Sequence, residues 1–348
     1  MNLYLTRSGR LRRKDNTLTF ELVTVSEESV FSDEESPMLE DAAHDKRVHL
    51  PVESVDAIYV FGETSLNSKL LNFLAQKKIP VHLFNYYGHH SGTFLPHGEQ
   101  LSGDLVIRQG EAFRDSKQRL HISGKILHAT FRNLLSNLRY YQRRGADVAA
   151  EISKIEALRN QIDQASDTDG QMGLEGSARR HYYGCWKHWL PDAGQKFTRK
   201  YHPPDNPLNA LISFLNSLLY TAMVSELYRT ALYPGISYLH SPQSRRFSLA
   251  LDLVEPFKPM LVDRLLFRLW DRQEIGASDF HAHSNGVLLK DASRKKILER
   301  WDELLRTTVA HPRLNRHVSY RQLLRLDCYK LIKHLLEDAP YEPHRINY

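Results

Sequence analysis

The sequence predicts an α+β protein, with a small β-rich N-terminal domain followed by a larger all-α domain. The chain has 348 residues, which exceeds the size at which one hydrophobic core usually stops growing. Its first hundred residues contain short runs rich in β-branched and aromatic side chains, separated by turn-forming residues. From about Asp104 onward the apolar residues instead recur with helical spacing. These three observations predict two domains of different class.

The N-terminal domain is predicted to span residues 1–98. One helix is expected among its strands, in SLNSKLLNFLAQKK, with Ser65 as its N-cap. We expect turns in GRLRRKDN and YYGHHSGTFLPHG, which carry glycine, asparagine and clustered charges. Strands are predicted in LYLTR, TLTFELVTV, VHLPVE, VDAIYVFG and IPVHLFN.

An acidic segment, residues 26–45, interrupts this domain. It contains eight aspartates and glutamates and no lysine or arginine, and its low hydrophobicity predicts a mobile loop. Because the whole chain carries a formal charge of +6, the remainder carries +14 without those eight acids. A surplus of that size indicates a polyanionic partner such as nucleic acid, although a merely basic protein is an equally good interpretation of charge alone.

A linker is predicted at residues 99–106, and the all-α domain at residues 107–348. Its segment NALISFLNSLLYTAMVSELYRTAL is apolar on nearly every side, which predicts a buried core helix. No run of 18 uncharged apolar residues is present, so no membrane-spanning helix is expected. The N-terminus lacks the apolar stretch of a secretion signal. The two cysteines, Cys185 and Cys328, are compatible with a reducing, cytoplasmic location.

One group of candidate catalytic residues is formed by His240, Asp252 and Glu255. The two acids are three residues apart, so on a helix they point the same way. Their surroundings, SLALDLVE, are otherwise apolar, and two carboxylates held together there are costly unless a cation or an arginine neutralises them. Pro256 should end or kink the helix directly after Glu255. On these residues alone, solvated acids on an amphipathic helix are the more frequent explanation.

A second group lies in GLEGSARRHYYG, where Glu175 precedes Arg179 and Arg180. An ordinary ion-pair network is the simpler interpretation of these residues. A third segment, from Asn206 to Ser217, places amides and hydroxyls on a core-like helix. Buried amides of that kind usually satisfy backbone groups rather than bind substrates.

Taken together, the segments resemble the CRISPR-associated integrase that inserts spacers into CRISPR arrays. The family pattern has a Glu-Gly-x-x-Ala-Arg segment, a Pro-x-Asn-Ala-Leu-Leu-Ser-Phe-like helix, and a Leu-His pair before an apolar helix with two acids. Shorter likenesses occur in the β-rich domain, so the resemblance covers nearly the whole chain. The matching stretches are Glu175-Gly176-Ser177-Ala178-Arg179, Pro207-Leu208-Asn209-Ala210-Leu211-Ile212-Ser213-Phe214, Leu239-His240, Leu249 to Pro259, Leu50-Pro51-Val52-Glu53 and Phe84-Asn85-Tyr86-Tyr87-Gly88.

This resemblance implies that Glu175, His240 and Glu255 bind the metal ion. It implies that Asp252 is a further acid of the same site, and that Lys258 and Arg179 contact a substrate phosphate. The family has aspartate where this chain has Glu255, so whether Asp252 or Glu255 lies closer to the ion is left open. Two carboxylates and one imidazole suit Mg²⁺ or Mn²⁺, which can activate an in-line displacement at phosphorus.

The resemblance also implies the partners. We expect double-stranded DNA, both prespacer and repeat, a homodimer formed through the β-rich domain, and a small ferredoxin-like partner subunit. The β-rich domain should serve in dimerisation and in holding DNA, and the all-α domain in catalysis. Two alternatives use the same residues: a structure-selective nuclease for branched DNA, and a non-catalytic nucleic-acid-binding protein whose acids only pair with arginine.

Overall fold

The computed structural model describes residues 1–22, 47–97, 102–190, 194, 197–200, 203–242, 247–283, 286–311, 314–337 and 339–345. Contacts within the chain divide it into two compact units, residues 1–99 and 100–348. The predicted acidic loop at 26–45 lies outside the described residues. The first unit is built on sheets and the second on helices, as the α+β prediction requires.

Two four-stranded sheets form the N-terminal unit. The first has the order β1-β5-β7-β8, with β1, β5 and β7 parallel and β8 antiparallel to β7. The second has the order β4-β3-β2-β6. The helix α1, Ser68–Gln76, contributes Leu70, Phe73 and Leu74 to the core of this unit. The strands are β1 Asn2–Leu5, β2 Gly9–Lys14, β3 Thr17–Leu22, β4 Arg47–Pro51, β5 Ala57–Val60, β6 Thr64–Ser65, β7 Val81–Phe84 and β8 His90–Phe94.

Both predicted turns of this unit contain a strand, so those two predictions are wrong. In GRLRRKDN, β2 pairs with β3, and only Asp15 and Asn16 turn the chain. Asp15 takes the left-handed conformation, with φ 53°, that such a tight hairpin needs. Leu11 of β2 is buried, whereas the charged residues of this strand lie on its exposed side or near its end. Because most of its residues are charged, the sequence did not indicate a strand. In the second segment the turn is confined to the residues around Gly88, whose φ is 76°.

The N-cap of α1 also differs from the prediction. The side chain of Asn67, not Ser65, accepts a hydrogen bond from the backbone N–H of Leu70 at 2.9 Å. Ser65 instead belongs to β6 and pairs with Arg10 of β2. The helix therefore begins two residues later than expected, because Ser65 is paired within the sheet and cannot cap it.

The second unit is mainly helical. Its long helix α3 packs against α2, α4 and α5, and α6 packs against α7 and α10. The first helix begins at Gly103, inside the range 99–106 that was predicted to be a linker. The helices are α2 Gly103–Arg114, α3 Ser116–Gln142, α4 Ala149–Asn160, α5 Thr168–Gly184, α6 Pro207–Tyr228, α7 Ser248–Val254, α8 Arg264–Asp271, α9 Asp291–Arg306 and α10 Tyr320–Glu337.

This unit is not purely helical, so the prediction of an all-α domain needs a correction. Two antiparallel hairpins occur in it: β9 Phe280–His283 with β10 Gly286–Leu289, and β11 Thr308–His311 with β12 Arg316–Ser319. Each strand has four residues. A strand this short spans only two alternations of side chains, too few to stand out from neighbouring helical patterns.

The helix α6 is the core helix that the sequence predicts. Among the described helices it alone has the length and apolar composition to cross a membrane, but 83% of that apolar window is buried inside the protein. Asn206 caps its N-terminus by accepting from the N–H of Asn209 at 2.9 Å. Asn209 in turn donates to the carbonyl of Thr198 at 2.9 Å and accepts from the N–H of Lys200 at 3.1 Å. The amide of Asn209 thus satisfies backbone groups, as expected of a buried asparagine.

Candidate active site

Three separate parts of the helical unit bring the predicted site residues together. Glu175 and Arg179 are four residues apart on α5, so they lie on one face of that helix. His240 belongs to the segment between α6 and α7, and Asp252 lies on α7. Glu255 follows directly, in a 3-10 turn that spans Glu255–Phe257.

The type of helix changes after Glu255, at Pro256 and Pro259. The helix α7 ends at Val254, and Pro256 cannot donate a backbone hydrogen bond that would continue it. A short π-helical segment, Lys258–Asp263, follows the 3-10 turn. Two buried asparagines of α3 bind the carbonyls that this geometry leaves free. The side chain of Asn133 donates to the Pro256 carbonyl at 2.7 Å, and that of Asn137 donates to the Pro259 carbonyl at 2.8 Å.

Arg179 lies at the centre of the cluster and links two of the predicted ligands. Its Nε donates to Oε1 of Glu175 at 2.6 Å, and its Nη2 donates to Oε2 of Glu255 at 2.7 Å. The Arg179 side chain is 8% exposed, compared with 19% for Glu175 and 4% for Glu255. The guanidinium therefore neutralises two carboxylates in a place that water hardly reaches. Its predicted contact with a substrate phosphate stays a prediction, since here two of its donors bind carboxylates.

Glu255 contacts more cationic side chains than any other acid of the cluster. Besides Arg179, it accepts a hydrogen bond from Nζ of Lys258, and Nε2 of His240 lies 3.9 Å from its Oε1. Burial by itself would raise the pKa of this carboxyl, but the charges of Lys258, Arg179 and His240 outweigh burial and lower it to about 2. Glu255 is therefore ionised at neutral pH.

Asp252 has a different role from Glu255. Its fully buried carboxylate accepts from the backbone N–H groups of Tyr238, Leu239 and His240 at 2.6, 2.9 and 2.9 Å, and it contacts Nδ1 of His240 at 2.8 Å. Both oxygens are thus committed to the segment that carries His240. In this geometry Glu255, rather than Asp252, faces the centre of the cluster, and Asp252 orients the imidazole.

The electrostatics of His240 follow from these neighbours. Burial favours the neutral ring and lowers its pKa, whereas the hydrogen bond and charge of Asp252, together with Glu255, favour the protonated ring. The acids outweigh burial, so the pKa of His240 is raised. Beside this ring lies a cavity of about 320 Å³, lined in part by Met172, Ser241 and Leu251. The cavity leaves room for a substrate group next to the imidazole.

The donor atoms of the cluster have the chemistry that binds a divalent cation. Two carboxylates and an imidazole whose Nδ1 is bound by Asp252 are ligands that suit Mg²⁺ or Mn²⁺. Within the described residues, however, no three histidine, cysteine, aspartate or glutamate side chains lie close enough together to enclose an ion. Arg179 separates Glu175 from the other two. The chemistry of the donors fits a metal ion, and the position between the acids is taken by a guanidinium.

Sequence reasoning did not single out Asp263, which lies beside this cluster. Its side chain is 1% exposed, and its Oδ2 has no hydrogen-bond partner within the described part of the chain. Burial raises the pKa of Asp263 to about 6, against the opposing effects of Arg179 and Tyr182. Asn133 and Asn137 were also missed. The signal that could have found the two asparagines is the pair Pro256 and Pro259, because backbone carbonyls left free beside prolines need side-chain donors. That signal does not extend to Asp263, whose carboxylate donates to neither carbonyl.

Comparison with known proteins identifies the family of the chain. A family model described as CRISPR associated protein Cas1 matches residues 3–303. The CRISPR-associated endonuclease Cas1 2 of Moorella thermoacetica is 43% identical over 344 residues, which cover 99% of this chain and 98% of that protein. The chain belongs to the Cas1 family. The resemblance that the sequence motifs indicated is therefore confirmed over the full length.

Solved structures extend the likeness to the fold. A Cas1 protein from Thermotoga maritima has a TM-score of 0.82 and 35% identity, with 97% of each chain covered. A casposase bound to its integration product has a TM-score of 0.81 and 19% identity, with 100% of this chain and 96% of that chain covered. At that identity the casposase shows a shared fold alone. Both units of the Cas1 family architecture are thus present in this chain.

Proposed function

We propose that this chain is a metal-dependent DNA endonuclease and integrase that inserts short DNA spacers into a CRISPR array, as part of antiviral defence. The observation that carries the proposal is the convergence of Glu175, His240 and Glu255 from three separate elements around one buried cationic position. The activity in the name of the Moorella relative supports it, since that protein is 43% identical over nearly its whole length.

The proposed reaction is a phosphodiester transesterification. The 3′-hydroxyl oxygen of a spacer end bonds to a phosphorus of the repeat, and the bond from that phosphorus to its own 3′ oxygen breaks. One phosphodiester is made and one is lost, and the hydroxyl proton passes to the departing oxygen. In simple cleavage, water replaces the spacer hydroxyl. A Mg²⁺ or Mn²⁺ ion held by Glu175, His240 and Glu255 supplies charge stabilisation at the attacked phosphate.

The residues of the chain have separate tasks in this proposal. Asp252 holds the His240 ring so that Nε2 faces Glu255. Lys258, whose side chain is 24% exposed, is the better placed of the two predicted phosphate contacts, since Arg179 is only 8% exposed. The amide donors of Asn133 and Asn137 keep the turn after Glu255 in place. The basic remainder of the chain binds the DNA backbone without reading its sequence.

We further propose the partners that the family resemblance implies. These are double-stranded DNA as prespacer and repeat, a second copy of this chain bound through the β-rich unit, and a small ferredoxin-like subunit that bridges two dimers. The location proposed is the cytoplasm. Each partner can be tested separately, by sizing the protein alone and then with the subunit and a labelled duplex.

Incubation with a repeat-bearing supercoiled plasmid tests the function directly. The protein, its partner subunit and a labelled prespacer should yield labelled plasmid in the presence of Mn²⁺ or Mg²⁺. Glu175→Ala, His240→Ala and Glu255→Ala should abolish the product while duplex binding is retained. Cleavage of branched DNA without any plasmid labelling would favour the structure-selective nuclease. Full activity in Glu175→Ala or His240→Ala would overturn the enzyme assignment.

A further inference from the structure

Arg179 occupies the position that a cation shared by Glu175 and Glu255 would take. It contacts one oxygen of each acid, at 2.6 and 2.7 Å, and all three side chains are less than one-fifth exposed. A guanidinium and a divalent ion cannot both lie between the same two carboxylates. A metal bound there must therefore displace at least one of these ion pairs.

A displaced Arg179 still needs a counter-charge, because a buried guanidinium without a partner is strongly unfavourable. Asp263 can supply that charge. It is fully buried, it interacts electrostatically with Arg179, and its Oδ2 is without a hydrogen-bond partner among the described residues. A buried carboxylate oxygen without a hydrogen-bond partner is rare in a folded protein.

We propose that Arg179 is a built-in cation that holds Glu175 and Glu255 together until a divalent ion arrives, and that Asp263 then receives its guanidinium. The inference rests on the proposed metal site and goes beyond it, by assigning positioning roles to two residues that do not bind the ion. Arg179 keeps the metal-free site neutral, and Asp263 sets how easily Arg179 leaves.

The local structure suits this exchange. Glu175 is the more exposed of the two acids and lies on the same helix as Arg179, so it can turn towards an ion without moving the core. Asp263 ends the π-helical segment whose first residue, Lys258, contacts Glu255. Glu255 and Lys258 are thus carried by the same stretch of backbone as Asp263. An irregular helix of this kind often marks a functional site.

Binding of Mn²⁺ alone to the full-length protein tests the proposal without any DNA or activity. The loss of the electron paramagnetic resonance signal of free Mn²⁺ gives the dissociation constant, and melting curves give the metal-free stability. Arg179→Met should lower the melting temperature without metal and tighten Mn²⁺ binding by about tenfold, or ~1.4 kcal/mol. Asp263→Asn should weaken Mn²⁺ binding by a similar factor and leave the metal-free melting temperature equal or higher.

The double variant separates positioning from packing. If Asp263 acts through Arg179, Asp263→Asn should have no effect on Mn²⁺ binding in the Arg179→Met background. Arg325→Met is the matched control, because Arg325 also donates to a buried acid, Glu226 at 2.6 Å, away from the site. It should lower stability and leave the Mn²⁺ constant unchanged.

The outcomes distinguish this inference from the proposed function. Unchanged or weaker Mn²⁺ binding by Arg179→Met, with normal binding by the original chain, would overturn the inference and leave the metal site standing. If Arg179→Met does not fold, normal Mn²⁺ binding by Asp263→Asn would be equally decisive against it. No Mn²⁺ binding by the original chain would overturn both proposals.

Discussion

The carboxylate of Asp252 accepts a hydrogen bond from the backbone N–H of His240 at 2.9 Å and contacts Nδ1 of the same residue at 2.8 Å. One acid thus fixes both the position of the residue and the rotation of its ring. With a proton on Nδ1, the lone pair of Nε2 is directed towards Glu255, 3.9 Å away. A histidine held in this way is prepared to bind a cation on its Nε2 side.

Asp252→Asn should therefore reduce both stability and activity. An asparagine keeps one acceptor oxygen, but its NH₂ group would face donors where Asp252 now accepts. We expect a loss of about 2–4 kcal/mol in the free energy of unfolding, because buried donors lose their partner. Urea denaturation measures this loss, and the plasmid assay measures the activity.

A comparison with Thr130→Ala provides the control for Asp252→Asn. Thr130 is a buried residue of α3 that donates to the carbonyl of Ile126 at 2.9 Å. It should cost about 1 kcal/mol with little change in strand transfer per folded molecule. Equal activity of Asp252→Asn and the original chain would contradict the orienting role.

Removal of Glu255 should destabilise the metal-free protein. The sequence alone suggests that two neighbouring acids repel each other, so that losing one would relieve the site. In the structure, Glu255 neutralises Arg179 and Lys258, and Glu255→Ala leaves the buried guanidinium with Glu175 alone. We expect a loss of about 3–5 kcal/mol, as for other broken buried ion pairs.

Glu175→Ala should cost less than Glu255→Ala, about 1 kcal/mol, since Glu175 is the more exposed acid and Arg179 keeps Glu255. Thermal and urea unfolding in the presence of a chelator measure both variants. A Glu255→Ala protein as stable as the original chain would show that Arg179 does not depend on that acid.

DNA binding should depend steeply on salt and only weakly on sequence. The chain outside residues 26–45 carries a formal charge of +14, and each phosphate contact releases counterions. If six or more phosphates are contacted, affinity should fall by about 10³-fold between about 50 and 200 mM salt. Fluorescence anisotropy with two unrelated duplexes measures this, and a flat salt response would contradict the prediction.

The β-rich unit should lose stability on acidification because of His82. Burial, together with the nearby His90, lowers the pKa of His82 from 6.5 to about 3. The folded protein therefore resists protonation that the unfolded chain accepts, so the stabilising contribution is complete above pH 6.5 and is lost as the pH falls towards 3. The loss should reach up to about 5 kcal/mol.

His82→Gln removes the titrating group, so the loss of stability between pH 6.5 and 3 should become smaller. Measurement of the free energy of unfolding as a function of pH tests this. His49 offers a matched control in the same unit. Its Nδ1 contacts the hydroxyl of Thr19 at 3.0 Å, as Nδ1 of His82 contacts the hydroxyl of Thr93 at 2.9 Å. His49→Gln should leave the pH dependence in place. If His82→Gln loses as much stability at low pH as the original chain, other groups cause the loss.

Local patterns in the sequence determined the fold class and the buried helix, whereas the candidate site residues were singled out by the family resemblance. The buried helix α6 and the end of α7 before Pro256 depend only on neighbouring residues in the sequence. Both were predicted, and both occur in the structure. Short strands such as β2 and β8 were missed, because backbone pairing with the adjacent strand stabilises them more than their own composition does.

Only the tertiary structure decided the different roles of Asp252 and Glu255 in the site. Asp252 and Glu255 are equivalent in a helical pattern, three residues apart. Their difference arises because the segment Tyr238 to His240 folds onto Asp252, while α5 brings Arg179 to Glu255. Those contacts join residues up to 76 positions apart, and no local pattern encodes them. Ion pairing and burial depend on which residues, far apart in the sequence, come into contact, and the packing of the helices determines those contacts.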